Sequence, residues 1–154
     1  MLKGELAVPT GKRLEMIDLT GQLQEVASVS GVTEGLVCLY NPHTTAGLII
    51  NEGADPDVQR DILGGLGRMV PADYPYRHSE GNSPAHLMTA MTGSSVTVFL
   101  HQGRLQLGTW QRIFSVNSTV RATARSGGKF SPDNPGRRRH VCFLDSIEPQ
   151  MNNL

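Results

Sequence analysis

Apolar residues recur along this chain in two rhythms. Short apolar runs at 36–40, 47–51 and 96–100 have the length and β-branched content of strands. Leu105 and Leu107 alternate with polar neighbours, and 109–116 continues or follows that strand. A strand is also expected at 11–18, after a Pro-Thr-Gly turn, and a last one at 140–147. The second rhythm is helical. Leu23, Val26 and Ala27 share one face behind Thr20 as N-cap, with Gly31 as the stop. Val58, Ile62, Leu66 and Met69 follow Asp55-Pro56, where the carboxylate can cap free amides and proline fits the first helical turn. Gly64, Gly65 and Gly67 weaken that helix, each by up to ~1 kcal/mol relative to alanine, or let a neighbour pack closely. Ser83-Pro84 repeats the cap-then-proline signal and opens a helix that ends at Gly93. Between these helices lies a long polar loop at 71–84, and Gln102-Gly103 reads as a tight turn. Helices and antiparallel-looking strands interleave without a steady strand–helix–strand alternation, which favours an α+β fold over a doubly wound sheet.

Composition narrows the class. The 154 residues are expected to form a single domain, 1–154, with an exposed basic loop at about 117–137 that holds Arg121, Arg125, Lys129 and Arg137 against Asp133. Lys plus Arg is 14 and Asp plus Glu is 14, so the formal charge is zero and no nucleic-acid partner is expected. Cys38 and Cys142 sit in apolar runs and read as buried thiols of a reducing compartment. The first residues carry no apolar signal core, and no apolar stretch nears the roughly 20 residues that span a bilayer. The expectation is a soluble cytoplasmic protein without a membrane partner.

Three clusters could carry chemistry. Asn41-Pro42-His43-Thr44-Thr45-Ala46-Gly47 joins two strands, and Glu52 and Asp55 follow the second. A purely structural account makes His43 a turn residue and Asp55 a cap. His78 and His86 flank Ser79-Glu80-Gly81-Asn82-Ser83-Pro84, and His86 falls in the first turn of a helix, whose partial positive charge suits anions. The spacing of eight is wider than usual zinc motifs, and both rings could instead bond backbone. Together His43, His78 and His86 could offer three imidazoles to a transition ion with an open fourth position. Glu52, Glu80 or Asp55 would then orient rings or act as base. A zinc-like metal suits this donor set better than magnesium, for which carboxylates and phosphate oxygens should dominate. In Gly103-Arg104-Leu105-Gln106-Leu107-Gly108-Thr109-Trp110-Gln111, Arg104 could fork a phosphate or be a solvated edge charge, and Trp110 and Gln111 could line a pocket, although Trp110 reads better as a core anchor. His101 reads as a surface histidine.

The stretch 43–58, His-Thr-Thr-Ala-Gly-Leu-Ile-Ile-Asn-Glu-Gly-Ala-Asp-Pro-Asp-Val, resembles a signature of the YjbQ-type family, also called the secondary thiamine-phosphate synthase family. Gly81-Asn-Ser-Pro-Ala-His-Leu87 and Gly103-Arg-Leu-Gln-Leu-Gly-Thr-Trp-Gln111 resemble its other two signatures, in the same order. The likeness covers about residues 10–115 and the final strand; 115–136 departs from it with a longer basic segment. The resemblance implies an α+β domain with a largely antiparallel, sandwich- or barrel-like sheet and flanking helices, assembled as a homotrimer. It implies His43, Glu52, Asp55, His78 and His86 as site positions near subunit boundaries, often with a metal ion. It also implies a thiamine-phosphate synthase activity, which joins a pyrimidine diphosphate to a thiazole phosphate and releases pyrophosphate.

The expected function is therefore that of an enzyme acting on a small phosphorylated substrate. His43, His78 and His86 would hold the ion, with Glu52, Asp55 and His43 as the catalytic groups. Thr44, Thr45, Asn82, Ser83, Arg104 and Gln111 would contact substrate. Two rivals use the same residues: a metal-dependent hydrolase, and a non-enzymatic binding protein with a structural ion.

Overall fold

Alternation of buried and exposed residues along the strands, and tight turns between them, build two antiparallel sheets that share a core. The computed structural model describes residues 3–118 and 138–145, with side chains for 4–118 only. In chain order the strands are β1 (Lys3–Pro9), β2 (Glu15–Asp18), β3 (Glu34–Tyr40), β4 (Ala46–Glu52), β5 (Ser95–His101), β6 (Arg104–Leu105), β7 (Gln111–Asn117) and β8 (Arg138–Asp145). The helices are α1 (Thr20–Ser30), α2 (Pro56–Met69) and α3 (Ser83–Thr92). One sheet runs β1-β8-β3-β5-β6 and the other β2-β7-β4. Every pairing is antiparallel.

Val8, Leu39 and Val98 of the first sheet meet Leu48 and Ile113 of the second, with Leu19 and Leu23 of the α1 region closing the core. A second core lies on the other face of the smaller sheet, where Leu66 and Val70 at the end of α2 and Met88 of α3 pack on Val116. Strand β7 is thus buried on both faces, which is why Ile113, Phe114, Ser115 and Val116 are all inaccessible. Burying one such aliphatic side chain contributes roughly 1.5–3 kcal/mol.

The α+β class and the antiparallel sheets agree with the sequence reading, and local details differ. Strand β1 was not expected: only Leu6 and Val8 mark it, and it forms by pairing with β8 from the far end of the chain, Lys3 opposite Leu144. The strand expected at 11–18 starts at Glu15, because the Glu15 carboxylate accepts from the Gly11 and Lys12 amides and folds 11–14 into a turn. Thr20 is the first helical residue and not the cap. Its amide donates to Asp18, and its hydroxyl accepts from the Ile113 amide at 2.9 Å, so it fastens α1 to β7. Gly31 does end α1, in the left-handed conformation at φ 72°. Leu107 lies beyond β6 yet packs against the first core.

The turn at Gln102-Gly103 is a two-residue hairpin with both residues at positive φ, 50° and 71°, the twist that suits adjacent antiparallel strands. Gln24 of α1 braces it, donating to the Gly103 carbonyl at 2.8 Å and accepting from the Leu105 amide at 3.0 Å. Nothing lies within 4 Å of a Cβ built on Gly64, Gly65 or Gly67, so these glycines accommodate no neighbour within the described residues. Cys38 is half-buried with the Thr97 hydroxyl 3.6 Å from its sulfur, and the side chain of Cys142 lies outside the described residues. So does the basic segment beyond Ser118 up to Arg137. Among the described residues no helix is long and apolar enough to cross a membrane.

Candidate functional site

The strands sort the candidate residues between two ends of the sandwich. At one end, β3 delivers the chain into the Asn41–Thr45 turn. Asn41 is buried; its amide nitrogen donates to the Ala46 carbonyl at 2.8 Å and its Oδ1 accepts from the His43 amide at 3.0 Å. This side chain fixes the loop that carries His43, Thr44 and Thr45. Sequence reasoning missed its role, although an Asn two residues before the His amide is the signal of an Asx-turn.

The same end receives the start of α3. Ser118 donates from its hydroxyl to the Thr45 and Ala85 carbonyls, both at 3.2 Å, and so ties the His43 loop to the turn of helix that bears His86. Its position just past β7 gave no warning of this. Gly47 lets β4 pass α3 closely, since a Cβ there would stand 1.8 Å from the Thr92 hydroxyl and 2.9 Å from the Gly93 carbonyl. The Leu48 amide then donates to Gly93 at 2.9 Å.

The His78 and His86 rings lie edge to face with centroids 5.4 Å apart. Two imidazoles bound to one tetrahedral ion at about 2.0–2.1 Å have centroids roughly 5 Å apart, so the separation fits a shared ion. The Glu80 carboxylate stands 3.7 Å from His78 Nε2 and accepts from the Asn82 amide nitrogen at 3.2 Å. Asn82, not Ser83, is the N-cap residue of α3, and its side chain makes no capping bond. Among the described residues no hydrogen-bond donor reaches its buried Oδ1.

The other expected groups lie elsewhere. Glu52 ends β4, six residues from Ala46, which at ~3.3 Å per residue puts it about 20 Å from the His43 end. Asp55 caps α2, accepting from the Asp57 amide at 2.8 Å, and the cap accounts for it within the chain. The expected catalytic set of Glu52, Asp55 and His43 is therefore not assembled in one chain, because a full strand separates its members. Nor does His43 complete a three-ligand group with His78 and His86: among the described residues no three His, Cys, Asp or Glu side chains gather to hold a metal. Arg104 is exposed in the hairpin opposite His101, again remote from the His43 turn. Gln111 faces its own turn, where its side chain accepts from the Gly108 amide at 2.8 Å. Trp110 is no core anchor; it is 65% exposed. His101 is a surface histidine, as expected, paired with Glu34 at 3.0 Å. The Glu34 carboxyl is held below its ordinary value, chiefly by the Gln102 amide and then by His101.

Comparison with known proteins places this architecture. The family model described as "UPF0047 protein YjbQ-like" matches residues 4–128. The chain belongs to the YjbQ-like UPF0047 family. It is similar to the UPF0047 protein YugU of Bacillus subtilis, 45% identical over 115 residues that cover 74% of this chain and 86% of the relative. A UPF0047 protein of Mycobacterium bovis is 35% identical over 144 residues, 91% of this chain and 98% of the relative, an extent that runs through 117–137. Among solved structures, the fold is similar to the Aeropyrum pernix protein APE1520, with a TM-score of 0.80 and 35% identity over 96% of this chain and all of that one. A YjbQ/UPF0047 family protein of Clostridium acetobutylicum superposes with a TM-score of 0.77 at 36% identity, over 95% of this chain and 100% of that one.

Proposed function

We propose that this YjbQ-like protein is an enzyme acting on a small phosphorylated metabolite at the site headed by His78 and His86. The observation that carries the reading is the approach of the two imidazoles to 5.4 Å beside Glu80, at the start of α3. Imidazole donors favour a zinc-like transition ion over magnesium. Such an ion, when bound, supplies positive charge that stabilises a phosphate or diphosphate leaving group. His78 and His86 would hold it, and Glu80, itself fixed by Asn82, would orient the His78 ring. The start of α3 adds the partial positive charge of a helix N-terminus, which suits a phosphate. Asn82 Oδ1 would accept from a substrate hydroxyl or amine.

Two imidazoles leave coordination positions open. His43 lies on the loop fastened to α3 through Ser118 but is not gathered with them, so water, substrate or a neighbouring subunit's side chain would fill those positions. Glu52 and Asp55 reach such a site only from a neighbouring subunit, which agrees with the homotrimer and boundary site that the family likeness implies. The reaction that likeness implies breaks the bond between the pyrimidine methylene and its diphosphate and forms one to the thiazole nitrogen. Pyrophosphate leaves with the bonding electron pair. Hydrolysis at the same site is the competing reading. The test is pyrophosphate release measured with and without the thiazole phosphate, for the native sequence and for His86→Ala and His78→Ala. Release that needs the second substrate and is lost in both variants supports transfer; release without it supports hydrolysis. Full activity in both folded variants removes these histidines from the mechanism.

A further inference from the structure

A second site lies at the opposite end of β4. An open hollow of about 620 Å³ lies between the ends of β4 and β7, lined by Glu52, Thr109, Trp110 and their neighbours. Trp110 lines it and is largely exposed, and its backbone is hydrogen-bonded on both sides. The Trp110 carbonyl accepts from the Gly53 amide at 2.8 Å, and the Gln111 amide donates to the Gly108 carbonyl at 2.9 Å. The Arg112 guanidinium donates to the Gln111 carbonyl at 2.7 Å. Residue 53 must be small for this closure, since a Cβ there would stand 2.3 Å from Arg112 Cγ. The backbone that carries the exposed ring is therefore pinned at the turn.

Glu52 is the one charged side chain that lines the hollow, and among the described residues its carboxylate forms no ion pair or hydrogen bond. An indole face attracts cations, and a carboxylate takes paired N–H donors in a fork. No lining side chain offers positive charge to a phosphate. We propose that this hollow binds a planar cation, an amidinium or a protonated amino-substituted aromatic ring, stacked on Trp110 and forked by Glu52. The hollow shares Glu52 with the subunit-boundary arrangement proposed above, and its test is run without metal, so that failure here leaves the ion at His78 and His86 untouched.

The sequence holds a single tryptophan, so its emission reports this site alone. Benzamidinium is titrated into the full chain in the presence of a chelator, with benzamide as the uncharged isostere. The expected result is saturable quenching by benzamidinium, with affinity at least about tenfold weaker for benzamide and for Glu52→Gln, the size of a lost charge-assisted contact. Calorimetry on Trp110→Phe should retain binding, and Trp110→Ala should lose it. Equal binding of benzamide, or unchanged affinity in Glu52→Gln, overturns the proposal. So does a tryptophan already shielded from acrylamide in the free protein, which would make a second copy the occupant.

Discussion

Several residues carry consequences that their chemical type alone does not announce. Gly47 and Gly53 are not turn residues; each sits where a Cβ has no room, against Thr92 and Gly93 in one case and Arg112 in the other. Gly47→Ala should cost about 1–3 kcal/mol, the usual penalty of overpacking. Chemical denaturation measures it, and an unchanged midpoint would show that α3 can shift away freely. Glu34 gives a pH prediction. Its carboxyl is held low in the folded protein by the Gln102 amide and His101, so its contribution is present above the ordinary glutamate range and disappears as pH falls through the lowered folded value. Thermal melts of Glu34→Gln should therefore lose less stability on acidification than the native sequence does. Parallel acid profiles would contradict this. Residue type was a poor guide at Trp110, because a tryptophan is buried on average and only the pinned Gly108–Gln111 turn holds this one out. It was a good guide at Asp55, where Asp-Pro names the helix start directly.

Helices and hairpins with local signals were legible in the sequence; elements made by distant partners were not. The α2 stripe of Val58, Ile62 and Leu66, the Gly31 stop and the Gln102-Gly103 turn all follow from neighbours within a few residues. Strand β1 exists because β8 completes it, and nothing in the first ten residues encodes that register. The α2 helix offers two predictions. Asp55→Ala should lose about 1 kcal/mol through the cap, while Asp55→Asn keeps it. Equal loss in both would point to a role for the charge beyond capping. Gly64→Ala should raise stability by about 0.5–1 kcal/mol, since its Cβ would meet open space. Destabilisation instead, read by the same denaturation curves, would mean that another subunit packs closely on this stretch of α2.

On the scale of the whole molecule, the sandwich divides the site residues between its two ends. The motif at 43–58 reads as one constellation in sequence, yet β4 runs straight through it, and its span from Ala46 to Glu52 is about 20 Å long. Among the described candidate residues, His78 lies beside both His86 and Glu80, with the His43 loop tied to the start of α3 by Ser118. If the working site joins one subunit's histidine end to another's Glu52 end, mixed oligomers of His86→Ala and Glu52→Gln chains should recover part of the activity that each lacks alone. No recovery in mixtures whose subunits demonstrably exchange would confine the chemistry to single chains. The proposed function requires His78 and His86 to hold an ion, which the metal content of the purified protein by mass spectrometry, alongside that of His86→Ala, reads without any substrate. The expected result is a stoichiometric transition metal in the native protein that is lost from the folded variant. Native protein free of metal, or a variant that keeps it in full, would remove these histidines as ligands.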